Sequence, residues 1–218
     1  MESPKDSLPP ASWSSAISWY VTSLPVISSF SHLALQIGIV SNRQSAADYD
    51  DDMQRAKALG IDAFALNIGV DPYTDAQLGY AYESAANNDM KVFISFDFNW
   101  YSPSDSGAVG SKIATYGSRP GQLIYEDKVF VSSFAGDGLD TAAAAATSGL
   151  QVYWAPNFHV GQADFAHLDA AFNWIGWQNN GNNKAPSGGN LVTVAKGDED
   201  YKNALAEGQE YLARTLAP

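Results

Sequence analysis

Acidic, amide and aromatic side chains stand directly after a run of apolar residues near the middle of the chain. Asp97 closes that apolar run, and Asn99 and Trp100 follow within three residues. Carboxylates transfer protons, amides bind hydroxyl groups, and indole rings offer large flat apolar faces that suit sugar rings. These residue types in one place indicate chemistry on an uncharged ligand rich in hydroxyl groups.

The same residue types recur after the other apolar runs. The candidate catalytic carboxylates are Asp71, Asp97 and Asp137. The candidate substrate-binding residues are Asn67, Asn99, Trp100, Asn157, His159, Trp174 and Trp177. In parallel β/α sheets, ligand sites form outside the carboxyl ends of the strands, so we expect these residues to share one edge.

Several of these residues also fit purely structural roles. Asp71 suits a helix cap, and Asp137 between two glycines suits a turn. Trp174 and Trp177 suit core packing as well as sugar stacking. Asp140, which directly precedes a helical pattern, is interpreted as a helix N-cap.

Metal and cofactor chemistry find little support in the sequence. The chain has no cysteine, which excludes thiolate ligands, disulfides and cysteine nucleophiles. His159 and His167 are too widely spaced for a typical pair of metal ligands. The glycine-rich loops GxGxxG and GxxxxGK[ST], which bind nucleotide phosphates, are absent. We therefore expect no metal and no cofactor.

The composition and net charge limit the classes of partner that the chain can bind. The chain has 218 residues, 45% of them apolar, so one sizeable folded core is expected. Asp and Glu number 24 against 12 for Lys and Arg, a net charge of −12. That charge argues against binding to nucleic acid and against docking to an anionic membrane.

The apolar runs alternate with helical patterns. Runs of strand length begin near residues 33, 61, 91, 129, 151 and 171. Helices are predicted with an N-cap at Ser45, a capping box of Thr74 and Gln77, a C-terminal glycine at 117, and over Thr141–Ser148. Glu126 and Asp127 are predicted to join a hairpin, and a last helix is predicted over 198–206.

Strands alternating with helices predict an α/β fold with a parallel sheet. A doubly wound sheet and a (β/α)8 barrel of the TIM type both remain open, and the spacing fits the barrel. A full barrel has eight units and typically ~250 residues, so six units predict an incomplete barrel. Its first and sixth strands are then expected to leave unpaired edges, which predicts self-association.

Residues 1–32 and 33–218 are predicted to differ in organisation. Residues 33–218 form the partial barrel, and residues 1–32 form a flexible N-terminal extension. The opening MESPKD is not the basic segment that begins a typical secretion signal.

Six blocks of sequence resemble the fungal α-1,3-glucanases, or mutanases, of glycoside hydrolase family 71. The resemblance runs from about residue 33 to residue 212. The blocks are GIVSNR (38–43), GIDAFALNIG (60–69), KVFISFDFNW (91–100), FVSSFAGDGLD (130–140), PNFH (156–159) and FNWIGW with NNGNNKAP (172–186).

The resemblance implies a TIM-type catalytic barrel that hydrolyses α-1,3-glucan of fungal cell walls with inversion, outside the cell or in the wall. Inversion requires an acid and a base ~6.5–9.5 Å apart, with a water beside the base. Asp97 falls at a position that the family keeps acidic, and Asp71, Asp137, Asn157 and His159 match other positions of the same edge.

The chain departs from the family pattern in two places. SHLALQ precedes GIVSNR, where the family has an aromatic-rich strand. The family's later WNDYGES-type block, with the expected acid and base three residues apart, has no counterpart here. Two expectations follow: an α-1,3-glucanase, either active or truncated and inactive, and, as the alternative, a non-catalytic glucan-binding remnant of one. An unrelated β/α enzyme such as an aldolase is disfavoured. Its Schiff-base lysine would have to lie at the carboxyl end of a strand, whereas Lys91 begins a strand at the opposite end of the barrel.

Overall fold

Strands and helices alternate along residues 18–20, 34–38, 40–180, 186–189 and 191–213, which a computed structural model describes. The strands are β1 Ser18–Tyr20, β2 Ala34–Gly38, β3 Ala63–Ile68, β4 Lys91–Asp97, β5 Ile124–Tyr125, β6 Lys128–Phe134, β7 Val152–Asn157, β8 Ala170–Asn173 and β9 Glu210–Ala213. The helices are α1 Ala47–Ala58, α2 Thr74–Asn87, α3 Ser106–Tyr116, α4 Thr141–Ser148 and α5 Val194–Ala204.

The strands form a mainly parallel sheet. β2, β3, β4, β6 and β7 are parallel neighbours in that order, while β1 pairs antiparallel with β2 and β5 antiparallel with β6. β8 and β9 form a separate parallel pair. The predicted α/β class with a parallel sheet is confirmed.

The start of β8 lies directly beside β7. The Trp154 amide donates to the Asp169 carboxylate (2.8 Å), and the Asp169 amide donates back to the Trp154 carbonyl (3.1 Å). The Glu210 amide at the start of β9 donates in turn to the Asp169 carbonyl (3.0 Å). These bonds bring the small β8–β9 sheet against the edge of the large one.

The count of six strands and the expected free edges are both wrong. β9, which the sequence did not predict, adds a seventh parallel strand beside β8. β1 covers the outer edge of β2. β2 and β8, the first and sixth strands of the predicted series, are therefore both paired. Self-association stays a prediction, but the unpaired edges on which it was based are not found at these two strands.

The predicted extension over residues 1–32 and the polar loop over 179–189 lie partly outside the described residues. Within the first, Ser18–Tyr20 form β1, which the sequence did not predict. The predicted strand 171–177 is shorter, since β8 ends at Asn173. The Asn173 side-chain oxygen accepts the Ile175 amide (2.8 Å) and turns the chain there.

Helix ends depart from the predicted caps, although the helices themselves are present. The Ser45 amide and hydroxyl both donate to the Asp48 carboxylate (2.9 and 3.2 Å), so Ser45 does not cap α1. Thr74 and Gln77 form no capping box: Gln77 accepts from the Tyr49 hydroxyl (2.7 Å) and donates to the Arg43 carbonyl (2.8 Å). The predictions of α4 and of Gly117 after α3 are confirmed.

Two separate hydrophobic clusters cover the two faces of the strands. The outer cluster packs α1–α5 against the sheet. The inner cluster is supplied by strands and the segments joining them, and among the described residues no helix contributes to it. Its members are Leu35, Ala63, Ala65, Phe93, Leu123, Phe130, Tyr153, Ala155, Ala170, Phe172, Trp174 and Leu212. All seven parallel strands therefore turn side chains toward one common interior.

Within the described ranges, no helix has both the length and the apolar character that crossing a bilayer would require.

The contact between α3 and α4 is tight enough to predict the effect of one methyl group. A Cβ added at Gly110 would lie 2.4 Å from the Ala144 carbonyl oxygen and 2.6 Å from Thr147 Cβ. We expect Gly110→Ala to lower the free energy of unfolding by about 1–3 kcal/mol, because the helices must separate. Urea unfolding measures the change.

Gly107 in the same helix is the matched control, since no atom would lie within 4 Å of its added Cβ. Gly107→Ala should leave the stability unchanged or raise it by up to about 1 kcal/mol. Equal shifts for the two variants would contradict the packing of α3 on α4.

Candidate functional site

The sequence-predicted site residues, except Trp174 and Trp177 after β8, lie at the carboxyl ends of β3, β4, β6 and β7, an edge hereafter called the rim. Asp97, Phe134 and Asn157 are aligned across β4, β6 and β7 at the last pair of each strand. Asp71, Asp137 and His159 follow the ends of β3, β6 and β7 by two or three residues. The structure therefore brings all four predicted acid and imidazole groups to one edge.

Asp97 is held by two asparagines of the rim. Its Oδ2 accepts from Asn67 Nδ2 (3.1 Å), and its Oδ1 accepts from both the backbone amide and Nδ2 of Asn99 (2.9 Å each). The two asparagines thus orient the carboxylate through three hydrogen bonds. A carboxylate fixed in this way is preorganised for proton transfer or for binding a hydroxyl group.

Trp100 and Asp71 meet over the backbone of Gly69. A Cβ at Gly69 would lie 3.2 Å from the Trp100 ring and 3.3 Å from Asp71 Oδ2, so both side chains pack closely against this glycine. Trp100 is 68% exposed, unusual for an indole, and its ring is open to a ligand.

Tyr73 is a rim residue that the sequence analysis missed. It is 46% exposed, and partial burial, followed by the charge and hydrogen bond of Asp71, raises the pKa of its hydroxyl. The DPYTD segment combines an acid and an aromatic residue after a strand. Tyr73 therefore shows the same pattern as Trp100, an aromatic residue close to an acid at the end of a strand.

Asp137 binds His159 through both of its oxygens. Oδ1 accepts the His159 backbone amide (2.6 Å), and Oδ2 lies 2.5 Å from the imidazole Nδ1. The hydrogen bond to Asp137 raises the pKa of His159 against the opposing effect of burial. The imidazole is therefore protonated to a higher pH than a free histidine.

Asn157 is fully buried and is hydrogen-bonded to a residue of α5. Its Nδ2 donates to the Tyr201 hydroxyl (3.1 Å), which itself donates to the Phe158 carbonyl (2.7 Å). Tyr201 was not predicted as a site residue, because it belongs to a helix 44 residues further along the chain. It fixes the segment that carries His159.

The two tryptophans after β8 differ in their surroundings. Trp174 is 8% exposed, belongs to the inner cluster, and packs edge-on against Phe134 with 5.0 Å between ring centroids. Trp177 is partly exposed. The packing of Trp174 fits the core role that the sequence left open for it.

Three buried polar atoms near the rim have no hydrogen-bond partner among the described residues. They are Asn67 Oδ1, Ser95 Oγ and Asn157 Oδ1. Asn67 and Ser95 are direct neighbours across β3 and β4. Buried polar atoms are normally satisfied, so unpaired ones at this edge fit a place where water or a polar ligand completes the bonding.

Asp140 lies near the rim but caps α4. Its carboxylate accepts the Ala143 amide (2.8 Å), as the sequence predicted. Asp140 is therefore a structural residue of α4 and serves as a nearby acid for comparison with the candidate carboxylates.

The opposite ends of the strands carry a second polar group. The Glu210 carboxylate accepts from the Tyr125 and Tyr153 hydroxyls (3.0 and 2.9 Å), and Lys128 pairs with Asp169. Burial and then Glu210 raise the pKa of Tyr125 to about 12. A cavity of about 280 Å³ opens beside them. These acids are engaged by tyrosine or lysine, which fits a stabilising role at this end.

Comparison with known proteins is informative over most of the chain. Residues 27–217 match glycosyl hydrolase family 71. A mutanase of Penicillium rubens is 35% identical over 191 residues, covering 84% of this chain and 41% of that protein. The glucan endo-1,3-alpha-glucosidase agn1 of Schizosaccharomyces pombe is 33% identical over 151 residues, covering 61% and 35% respectively.

A third relative, the ascus wall endo-1,3-alpha-glucanase of Schizosaccharomyces pombe, is 26% identical over 133 residues. The match covers 60% of this chain and 30% of that protein. The chain thus spans less than half the length of these three curated relatives.

Proposed function

Because the chain belongs to glycosyl hydrolase family 71, we propose that it acts on α-1,3-linked glucan at the rim, as a hydrolase. The observation that carries the proposal is Asp97, held by Asn67 and Asn99 beside the exposed ring of Trp100. The names of two relatives, a mutanase and a glucan endo-1,3-alpha-glucosidase, support α-1,3-glucan as the substrate.

The rim is proposed to be the mouth of a TIM-type barrel. The inner cluster supports this geometry, because it combines side chains from all seven parallel strands. In a doubly wound sheet, helices would cover both faces; here the helices of the described residues pack in the outer cluster alone. Residues 33–218 would then be the barrel domain.

The proposed chemistry is inverting hydrolysis by two carboxylates. One carboxylic acid protonates the glycosidic oxygen as the bond to the anomeric carbon breaks, while a carboxylate takes a proton from the attacking water. Asp97, Asp71 and Asp137 are the candidate carboxylates of the rim for these two roles. Asn67, Asn99, Asn157 and His159 would bind sugar hydroxyls, and Trp100 and Trp177 would supply ring faces, while Trp174 packs in the inner cluster.

The proposed location is the fungal cell wall or its surroundings, where such a polymer is the substrate. One relative is named as an ascus wall enzyme. The net charge of −12 does not oppose binding to a neutral polysaccharide.

Incubation with insoluble α-1,3-glucan tests the proposal directly. We expect the chain to sediment with the glucan and to release reducing ends, while insoluble β-1,3-glucan should give neither result. Binding without release would favour the second interpretation, a glucan-binding module without catalysis. Neither binding nor release would refute both.

Trp100→Ala should weaken glucan binding at least about tenfold, since an exposed aromatic anchor is lost. Sedimentation with increasing amounts of α-1,3-glucan measures the affinity. The fold should be unaffected, because the indole is 68% exposed.

Leu59→Ala is the matched control for this prediction. Leu59 is also a large exposed apolar side chain, at 71%, but it lies between α1 and the start of β3, at the end opposite the rim. Its removal should not change binding. Equal losses for both variants would indicate non-specific adsorption instead of a site at Trp100.

A further inference from the structure

The loop between β6 and α4 is shaped to present Asp137. Ala135, Gly136 and Gly138 all have positive φ angles (55°, 106° and 87°), and the Leu139 amide donates to the Gly136 carbonyl (3.0 Å). The Phe98 ring lies so close to Gly136 that an added Cβ would meet it at 2.6 Å. Glycine adopts positive φ without strain, so Ala135 is the strained residue of this loop, and such strain clusters around functional groups.

The carboxylate of Asp137 on this loop is hydrogen-bonded to His159. Asp137 receives two hydrogen bonds from His159, one from the backbone and one from the ring. The two side chains are only 20% and 18% exposed, so the pair is screened less than a surface ion pair. A carboxylate that orients an imidazole through Nδ1 fixes the ring's tautomer and stabilises its protonated form.

Further titratable groups lie near the Asp137–His159 pair. Tyr201 of α5 donates to the carbonyl of Phe158, the residue before His159, and burial and then the charge of Asp137 raise the pKa of its hydroxyl, so it stays neutral. Asp164 and His167, on the loop that continues from His159, line a neighbouring cavity of about 170 Å³. Asp137 contacts the ring at Nδ1.

We propose that Asp137 is the positioning residue of His159, holding it as an imidazolium at the glucan site, and is not the acid or base of hydrolysis. The inference rests on the proposed function and deepens it. Asp97 and Asp71 then remain the candidate carboxylates of the rim. The imidazolium places one positive charge on an otherwise acidic rim and makes glucan binding depend on pH.

The sign of that dependence follows from the direction of the pKa shift. Because Asp137 raises the pKa of His159 above the usual 6.5, the imidazolium and the binding it supports are complete at acidic pH. Both are lost as the pH rises through the raised pKa.

Asp137→Asn tests the inference, because asparagine keeps an acceptor for the His159 amide but removes the charge. NMR titration of the free protein should show a lower pKa for His159, whose signals are identified by their absence in His159→Gln. The alkaline loss of glucan binding should move to lower pH by the same amount as the His159 pKa. Hydrolysis should persist at acidic pH.

Two variants make the test specific. Asp140→Asn, the same change at the neighbouring α4 cap, should alter neither the His159 pKa nor the binding profile. His159→Gln should bind glucan with an affinity that no longer varies over the pH range in which His159 titrates. Melting temperatures establish that each variant is folded.

Three results would overturn the inference. One is an unchanged His159 pKa in Asp137→Asn. Another is loss of hydrolysis in Asp137→Asn at every pH, as expected if Asp137 were the base. The third is pH-dependent binding that persists in His159→Gln. Failure of the unsubstituted chain to bind glucan would instead refute the proposed function, while the NMR titration still decides the Asp137–His159 pairing.

Discussion

Replacing Asp97 with asparagine is expected to lower the release of reducing ends from α-1,3-glucan by a factor of about 10²–10⁴, the usual contribution of one acid–base group. The introduced carboxamide oxygen can still accept the hydrogen bond from the Asn99 backbone amide, so the loop should keep its conformation. The loss should therefore appear in kcat, while sedimentation with the glucan changes little.

Asp105→Asn is the matched control for this experiment. Asp105 lies on the loop after Trp100, and its carboxylate accepts the Ser102 amide (2.9 Å), a structural bond that asparagine can replace. Its hydrolysis should equal that of the unsubstituted chain. Full activity in Asp97→Asn would remove Asp97 from the chemistry.

Replacing Phe130 with alanine should lower the free energy of unfolding by about 3–5 kcal/mol, as for other large buried rings. Phe130 is 1% exposed and lies between two other rings of the inner cluster. It meets Phe93 edge-on at 4.7 Å and stacks on Tyr153 at 5.3 Å. The cavity left behind cannot close without moving β4, β6 and β7.

Urea unfolding followed by tryptophan fluorescence measures this loss. Trp100→Ala, which removes an aromatic side chain from the surface, should change the stability by no more than about 0.5 kcal/mol. A loss below about 1 kcal/mol for Phe130→Ala, well under the usual range for a buried ring, would mean that the inner cluster is loosely packed. The proposed barrel interior would then lose its support.

The central strands could be predicted from sequence because they are buried on both faces. β4 and α4 have almost the predicted bounds, since their patterns end at clear signals such as Gly149 after α4. β9 was not predicted, because it has only four residues and an exposed, charged approach at Glu207. Its partner β8 is equally short but was predicted, because it lies in the longer apolar run 171–177.

The helix caps show why local signals fail where tertiary contacts compete. Gln77 has the right spacing from Thr74 for a capping box, yet the buried Tyr49 hydroxyl and the Arg43 backbone take up its amide. A hydrogen bond inside the protein stabilises more than one exposed to water. The sequence does not reveal which partner will be within reach.

The site, too, could be predicted only in part. The acids and amides at strand ends could be placed on one edge because parallel strands end together. Their pairing could not be predicted, since Asp137 and His159 are 22 residues apart and meet only through the left-handed loop at Gly136. The same holds for Tyr201, which reaches Asn157 from a distant helix.

If the rim is the glucan site, NMR titration with a soluble α-1,3-linked glucose oligosaccharide should show it. We expect the side-chain signals of Asn67, Asn99, Trp100 and His159 to shift together in a saturable way. The signals of Tyr125 and Tyr153, at the opposite strand ends, should stay in place. Shifts confined to those tyrosines, or no saturable shift anywhere, would contradict a glucan site at the rim.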